Sequence, residues 1–341
     1  MGVKLKQFIK SKKIELKDLN NKTISIDAFN TLYQFLSTIR GPMGEPLKNR
    51  EGEITSHLTG LFYRNINLLM SNIKPIFIFD GKPPELKKTE IERRREIKRD
   101  AKIKYEKALE EKDQETAKKY AQMISRIENY MIDDSKKLLE LLGIPWVEAA
   151  SEAEATAAHF TKIGKSDYTA SQDYDSILFG APNLIRNLTI SGRRKIPRKN
   201  IYVNIDPEII ELKILLEENN LSREQLIDIG ILIGTDFNPN GIKGIGPVTA
   251  LKYIRKYEKL ENITELKEKI QEIKYEQIRD IFLKPEVTES ADTKWENVKK
   301  DKLIEFLCDE KGFSHERIQN SLKKVEESTK KRNQTLDKWF K

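Results

Sequence analysis

Three short apolar runs in this chain end abruptly on acids. TISID closes at Asp27, PIFIFD closes at Asp80 ahead of Gly81, and DYTAS runs into Gln172-Asp173-Tyr174-Asp175. Continuous apolar runs of this length, separated by stretches of helical pattern, predict buried strands of a mostly parallel central sheet flanked by helices, an α/β fold. IPWVEA reads as a further strand. In open parallel sheets the ligand crevice lies beyond the carboxyl ends of the strands, and the acids fall there.

Elsewhere the texture changes. After Lys82-Pro83-Pro84 the chain is charged and helix-forming to Tyr130, with few large apolar residues. Such a segment has no core of its own to bury, so it is expected as a long solvated helical insertion or as one that orders on binding. From Asp133 the pattern turns amphipathic (SKKLLELLGI). Residues 222–257 read as two helices around a glycine-rich turn, and Gly244-Ile245-Gly246-Pro247 places proline at a helix start. The expected organisation is one domain over residues 1–327 and a flexible tail over 328–341, with no internal repeat.

Charge adds a partner class. Lys and Arg outnumber Asp and Glu by 62 to 54, a surplus that favours a polyanion such as nucleic acid. Cys308 is the sole cysteine, which excludes an intramolecular disulfide and a cysteine-built zinc site. With three histidines in the chain, any metal is expected on oxygen ligands, as Mg²⁺ or Mn²⁺. The N-terminus has no signal-peptide pattern, and no apolar run reaches the ~20 residues of a membrane span. A soluble intracellular protein is expected.

Seven acids stand out: Asp27, Asp80, Glu152, Glu154, Asp173, Asp175 and Asp236. Each has a plain structural alternative. Ser151 and Glu154 have capping-box spacing, a role that competes with metal binding for Glu154. Asp80 and the Asp173/Asp175 pair suit turns. Taken together, though, so many carboxylates gathered at one sheet edge repel one another and lose hydration. Divalent cations remove that penalty, and a pair of them suits phosphodiester hydrolysis.

The segments ISIDAFNTLYQFL, REGEITSHLTGLFYR, IKPIFIFDGKPPELK, ASEAEATAAHF, SQDYDSILFG and LIGTDFNPNGIKGIGPVTALKYI resemble the flap endonucleases, members of the structure-specific 5′ nuclease family. They follow the family's order and spacing over nearly the whole chain. The resemblance implies that the seven acids hold two Mg²⁺ ions, Mn²⁺ substituting. It implies that Lys87 and Arg94 address the scissile phosphate. Seven residues is almost two helical turns, so both emerge from one face; the alternative is two of many solvated charges. Tyr33 matches an aromatic stacked on a base, with a core tyrosine as the alternative. Residues 82–130 correspond to a helical arch that a single-stranded 5′ flap threads.

Gly2 matches a residue near the strand junction, and Thr55 and Arg64 lie in a segment resembling a pocket for a one-nucleotide 3′ flap. Gly244 and Gly246 belong to a segment like the family's helix–two-turn–helix, which grips duplex DNA and binds K⁺ through carbonyls; a plain helix hairpin is the alternative. In the tail, Asn333, Leu336, Trp339 and Phe340 have the spacing of a peptide that docks on the sliding clamp (PCNA), with Asn333 where glutamine is usual. An archaeal, cytoplasmic enzyme, monomeric when free, is implied; a eukaryotic one would be nuclear. The activity implied is removal of 5′ flaps in replication and repair, leaving 5′-phosphate and 3′-hydroxyl ends, with 5′-3′ exonuclease activity beside it. The alternatives are a sibling 5′ exonuclease or junction-resolving nuclease, and a non-catalytic DNA-binding scaffold for the clamp.

Overall fold

A computed structural model describes residues 3–41, 44–190, 192–195 and 202–339; side chains are described for these except at 193–195, 202 and 332–339. The strands are β1 (Lys12–Lys13), β2 (Thr23–Asp27), β3 (Lys74–Phe79), β4 (Trp146–Glu148), β5 (Tyr168–Ala170), β6 (Asn183–Arg186), β7 (Gly192–Lys195), β8 (Tyr202–Ile205) and β9 (Glu208–Glu211). Seven form one sheet in the order β1-β9-β6-β5-β2-β3-β4, and β7 and β8 pair apart. From β6 to β4 every pairing is parallel, while β9 runs antiparallel between β6 and β1. The four strands foreseen are present. The short β1, β6 and β9 and the β7–β8 hairpin carry no comparable apolar run.

The helices are α1 (Ala28–Thr38), α2 (Ser56–Met70), α3 (Lys88–Glu110), α4 (Gln114–Met123), α5 (Asn129–Leu141), α6 (Ala153–Lys162), α7 (Asp175–Leu178), α8 (Leu212–Asn219), α9 (Arg223–Ile233), α10 (Pro247–Tyr257), α11 (Lys267–Gln271), α12 (Tyr275–Leu283), α13 (Lys300–Ile304) and α14 (His315–Trp339). The period of two along β3 sorts its side chains. Phe77 and Phe79 join the core under α1, α2 and α5, whereas Ile76 and Ile78 pack with Val147 of β4 and with Ala153, Ala157 and Phe160 of α6. Both faces of the parallel strands are thereby covered, which is why they read as unbroken apolar runs. Chain order reverses at β2: β3 and β4 lie to one side, β5 and β6 to the other.

The charged segment after Pro84 differs from expectation. It is an ordered hairpin of α3 and α4, joined at Lys112 (φ 56°) and Asp113, whose carboxylate caps α4 by accepting from the Glu115 and Thr116 amides. Ala101 and Ala108 face Ala117 and Ala121, and all four are buried. A seam of methyl groups lets two helices approach closely without large apolar residues, so the segment does bury a small core. Arg40, just past α1, donates to the Gly44 carbonyl at 2.8 Å and to the Ser125 hydroxyl, fastening the far leg of the hairpin.

The stretch from Ser328, expected as a flexible tail, continues α14 to Trp339. Its residues are good helix formers, and the Ser328 hydroxyl donates to the Met70 carbonyl at 3.0 Å.

Candidate active site

Parallel pairing sets the stage. Asp27, the last residue of β2, lies opposite Ile78 of β3, so Asp80 projects just beyond it on the neighbouring strand. On the other side Ile26 pairs with Ala170 at the end of β5, and the loop that follows carries Asp173 and Asp175. Glu152 and Glu154 open α6, and Asp236 follows α9. Asp27, Glu152 and Asp175 are each less than one-tenth exposed.

Hydrogen bonds fix each acid. Asp27 caps α1 by accepting from the Asn30 amide at 3.0 Å, and the Asn30 side chain donates to Asp173 at 3.0 Å. Asp80 accepts from the Ala153 amide at 2.7 Å. Glu154 accepts from Ser171 at 2.8 Å and Ser176 at 3.2 Å, and Asp175 accepts from the Val3 amide at 2.7 Å. The capping box expected of Ser151 and Glu154 does not form. The N-cap of α6 is Glu152, without a side-chain cap bond, and Asp80 from another strand satisfies the helix's first free amide. That leaves Glu154 turned to Ser171 and Ser176, and resolves its competing roles against the local cap.

The electrostatics are those of crowded negative charge. Burial raises the pKa of Asp27 and of Glu154 well above the carboxylate range. Asp80 and Asp173 push Asp27 further, as Asp175, Asp173 and Asp27 push Glu154. Burial likewise raises Asp80 and Glu152, against the pull of Lys87. Asp175 is pushed up to about 7 by burial, then by Asp236 and Asp173.

Lys87 and Arg94 reach into this cluster. Lys87 ends a 3₁₀ turn (Glu85–Lys87) just before α3, and its ammonium pairs with Glu152 and lies 3.6 Å from Asp236. Burial disfavours that charge, but Glu152, Asp236 and Asp80 outweigh it and hold the Lys87 pKa above the ordinary lysine value. Arg94 donates from Nη2 to both oxygens of Asp236 at 2.8 Å and from Nε to Glu90 at 2.6 Å. Both therefore sit against the acids rather than among solvated surface charges.

Seven carboxylates against these two cations leave surplus negative charge among hard oxygen donors, the composition a divalent ion of the Mg²⁺ or Mn²⁺ type requires. Among the described residues no three of the acids close on one point, and two of them, Glu152 and Asp236, are paired with Lys87 and Arg94.

Other predicted residues lie around this centre. Tyr33 of α1 is half-buried, with the Lys98 ammonium of α3 at 4.8 Å from its ring centre, so it sits under the α3–α4 hairpin rather than in the core. Thr55 is buried at the start of α2, and Arg64 is half-buried along it. Gly244 (φ 88°) and Gly246 precede α10, with Pro247 at its first position, and a Cβ at either glycine would meet open space. Asn333, Leu336 and Trp339 lie on the backbone of α14 without described side chains; Gly2 and Phe340 lie outside the described residues.

Sequence reading missed Asn30, Ser171, Ser176 and Glu90. Glu90 left one faint signal, its spacing of three and four residues from Arg93 and Arg94.

The XPG N-terminal domain matches residues 1–102 and the XPG I-region residues 143–236. The chain is 52% identical to flap endonuclease 1 of Nitrosopumilus maritimus, over all of both chains. Among solved structures it is similar to flap endonuclease-1 from Methanococcus jannaschii, at 40% identity and a TM-score of 0.77 over 97% of this chain and 100% of that one. It is also similar to the catalytic core of Rad2 in complex with DNA substrate, at 25% identity and a TM-score of 0.69 over 94% of this chain and 97% of that one. With its acids gathered at the strand ends and its relatives matched from end to end, this chain belongs to the flap endonucleases of the XPG nuclease family.

Proposed function

We propose that this flap endonuclease cuts the phosphodiester at the base of a 5′ flap with two divalent cations, Mg²⁺ or Mn²⁺, held among Asp27, Asp80, Glu152, Glu154, Asp173, Asp175 and Asp236. The observation that carries the reading is the gathering of these acids beyond the carboxyl ends of β2, β3 and β5, where burial and neighbouring charge push up the pKa values of Asp27, Asp80, Glu152, Glu154 and Asp175. Cations so held would supply the charge that acidifies an attacking water and neutralises the phosphate.

The chain's own residues do the rest. Lys87 and Arg94 donate to the scissile phosphate and stabilise the charge that builds on its oxygens in the transition state. Tyr33 offers a ring face to the nucleobase beside the cut. The basic α3–α4 hairpin guides the single-stranded flap by its charge. Duplex phosphates approach the amides before α10, where Gly244 and Gly246 leave open space, and carbonyls of the same turn hold K⁺. Thr55 and Arg64 help receive the 3′ flap. Asn333, Leu336, Trp339 and Phe340 engage the sliding clamp. The Rad2 core's DNA complex supports DNA as the substrate class.

The test uses end-labelled 5′-flap, gapped and four-way-junction DNA, with Mg²⁺ and with chelator, on the wild type and Asp175→Ala. The reading expects cutting at the flap base by the wild type with Mg²⁺ alone, and flap binding without cutting by the variant. Binding without cutting by the wild type would sink the enzymatic reading. Unimpaired cutting by Asp175→Ala would sink the site assignment.

A further inference from the structure

Glu90 stands in the first turn of α3, within the most highly charged stretch of the chain, yet it is only 1% exposed. A carboxylate withdrawn from water needs close partners, and Glu90 has three donors on two oxygens. Arg93 grips it as a fork, Nε to Oε2 at 2.6 Å and Nη2 to Oε1 at 2.9 Å. Arg94 uses a single edge, Nε to Oε1 at 2.6 Å. The Nη end of Arg94 is thereby left pointing forward, and its Nη2 meets both oxygens of Asp236 at 2.8 Å.

An acid in a helix's first turn is favoured by the helix dipole, and that accounts for glutamate at this position. It does not account for the burial or for the grip on the Nε edge of the one arginine that enters the acid cluster. Charge matters as well. One carboxylate shared by two guanidiniums leaves a net positive trio, so Arg93 keeps Glu90 from cancelling the charge that Arg94 carries forward.

We propose that Glu90 is a positioning residue for the cutting reaction, anchoring Arg94 by Nε so that its Nη edge is presented to the scissile phosphate. The inference rests on the role proposed above for Arg94. A free arginine side chain samples many rotamers; one anchored at Nε has lost that freedom before substrate arrives, which favours the rate of the chemical step over ground-state binding.

The test is a double-mutant cycle on the full chain. Glu90→Gln and Glu90→Ala are made in the wild type and in Arg94→Ala. Single-turnover cutting of 5′-flap DNA with Mg²⁺, the Kd for the flap and the melting temperature are measured for each. In the wild-type background both Glu90 variants should cut about 10- to 100-fold more slowly, with Kd moving less than about three-fold. In the Arg94→Ala background the same changes should slow cutting by less than about two-fold. Glutamine keeps the shape without the charge, so it reports even where alanine disturbs the helix. Equal losses in both backgrounds, or a loss confined to Kd, overturn the inference and leave the reading of Arg94 standing. A normal rate in Arg94→Ala alone overturns both.

Discussion

Replacing Asp175 by asparagine removes one negative charge from the acid cluster while keeping an acceptor for the Val3 amide, 2.7 Å from Oδ1. In the folded chain this carboxyl is pushed from its ordinary 3.8 up to about 7 by burial, Asp236 and Asp173. The folded state therefore binds this proton more tightly than the unfolded state does. Below about pH 4 the group carries no penalty, between 3.8 and about 7 the penalty grows, and above that it is complete. At about 1.4 kcal/mol per pH unit the ceiling at pH 8 is about 4 kcal/mol. Relaxation around the neutral amide reduces the realised gain, so Asp175→Asn should stabilise the metal-free protein by about 1–3 kcal/mol. For a chain of 341 residues that corresponds to a melting temperature higher by roughly 1–4 °C. The assay is thermal unfolding in chelator at pH 8 and pH 5, with the gain at pH 5 less than half that at pH 8. Excess Mg²⁺ should reverse the order, because it stabilises the protein that binds it better, and the variant should not cut flap DNA. A wild type that melts at or above the variant in chelator at pH 8, or a gain indifferent to pH, would refute the account.

Three further outcomes are expected. Lys87→Ala and Arg94→Ala should each lower the single-turnover cutting rate about 10²–10³-fold with little change in Kd, since their donors act mainly on charge that develops in the transition state; a loss seen only in binding contradicts this. Arg279→Leu should lower stability by about 3–5 kcal/mol in denaturant titrations. It strips the buried Asp228 of the Nε and Nη2 bonds at 2.9 Å, and the loss should shrink with Asp228→Asn in the same chain. Ala117→Glu places a charge in the alanine seam of the α3–α4 hairpin and should speed hydrogen exchange there while moving global stability by less than about 1 kcal/mol, the result expected of a hairpin that opens as its own unit.

The sheet's parallel strands were legible because burial on both faces leaves unbroken apolar runs, and their terminal acids stood out against them. Asp27, Asp80, Asp173 and Asp175 could be placed at one edge from that pattern alone. Glu152, Glu154 and Asp236 could not, since a helix start and a loop carry no comparable signature; the family's motif order supplied them. The alanine seam escaped notice because it is written in small residues diluted among charges. Glu90 escaped because burial of a charge depends on tertiary neighbours. The capping-box alternative for Ser151 and Glu154 fails for a related reason: local spacing suggests a cap on α6, but Asp80, 73 residues away in sequence, accepts from the Ala153 amide instead.

The long reach of the site's contacts has a kinetic meaning. Val3 and Asp175, which bond to each other, are 172 residues apart, and Arg94 and Asp236 are 142 apart. Contacts of such high sequence separation carry a large loop-closure entropy and slow the folding of a chain that depends on them. A chain with only its first 200 residues collapsed would own six of the seven acids and still lack Asp236. Completing the acid cluster therefore requires residues from the two halves of the polypeptide to meet.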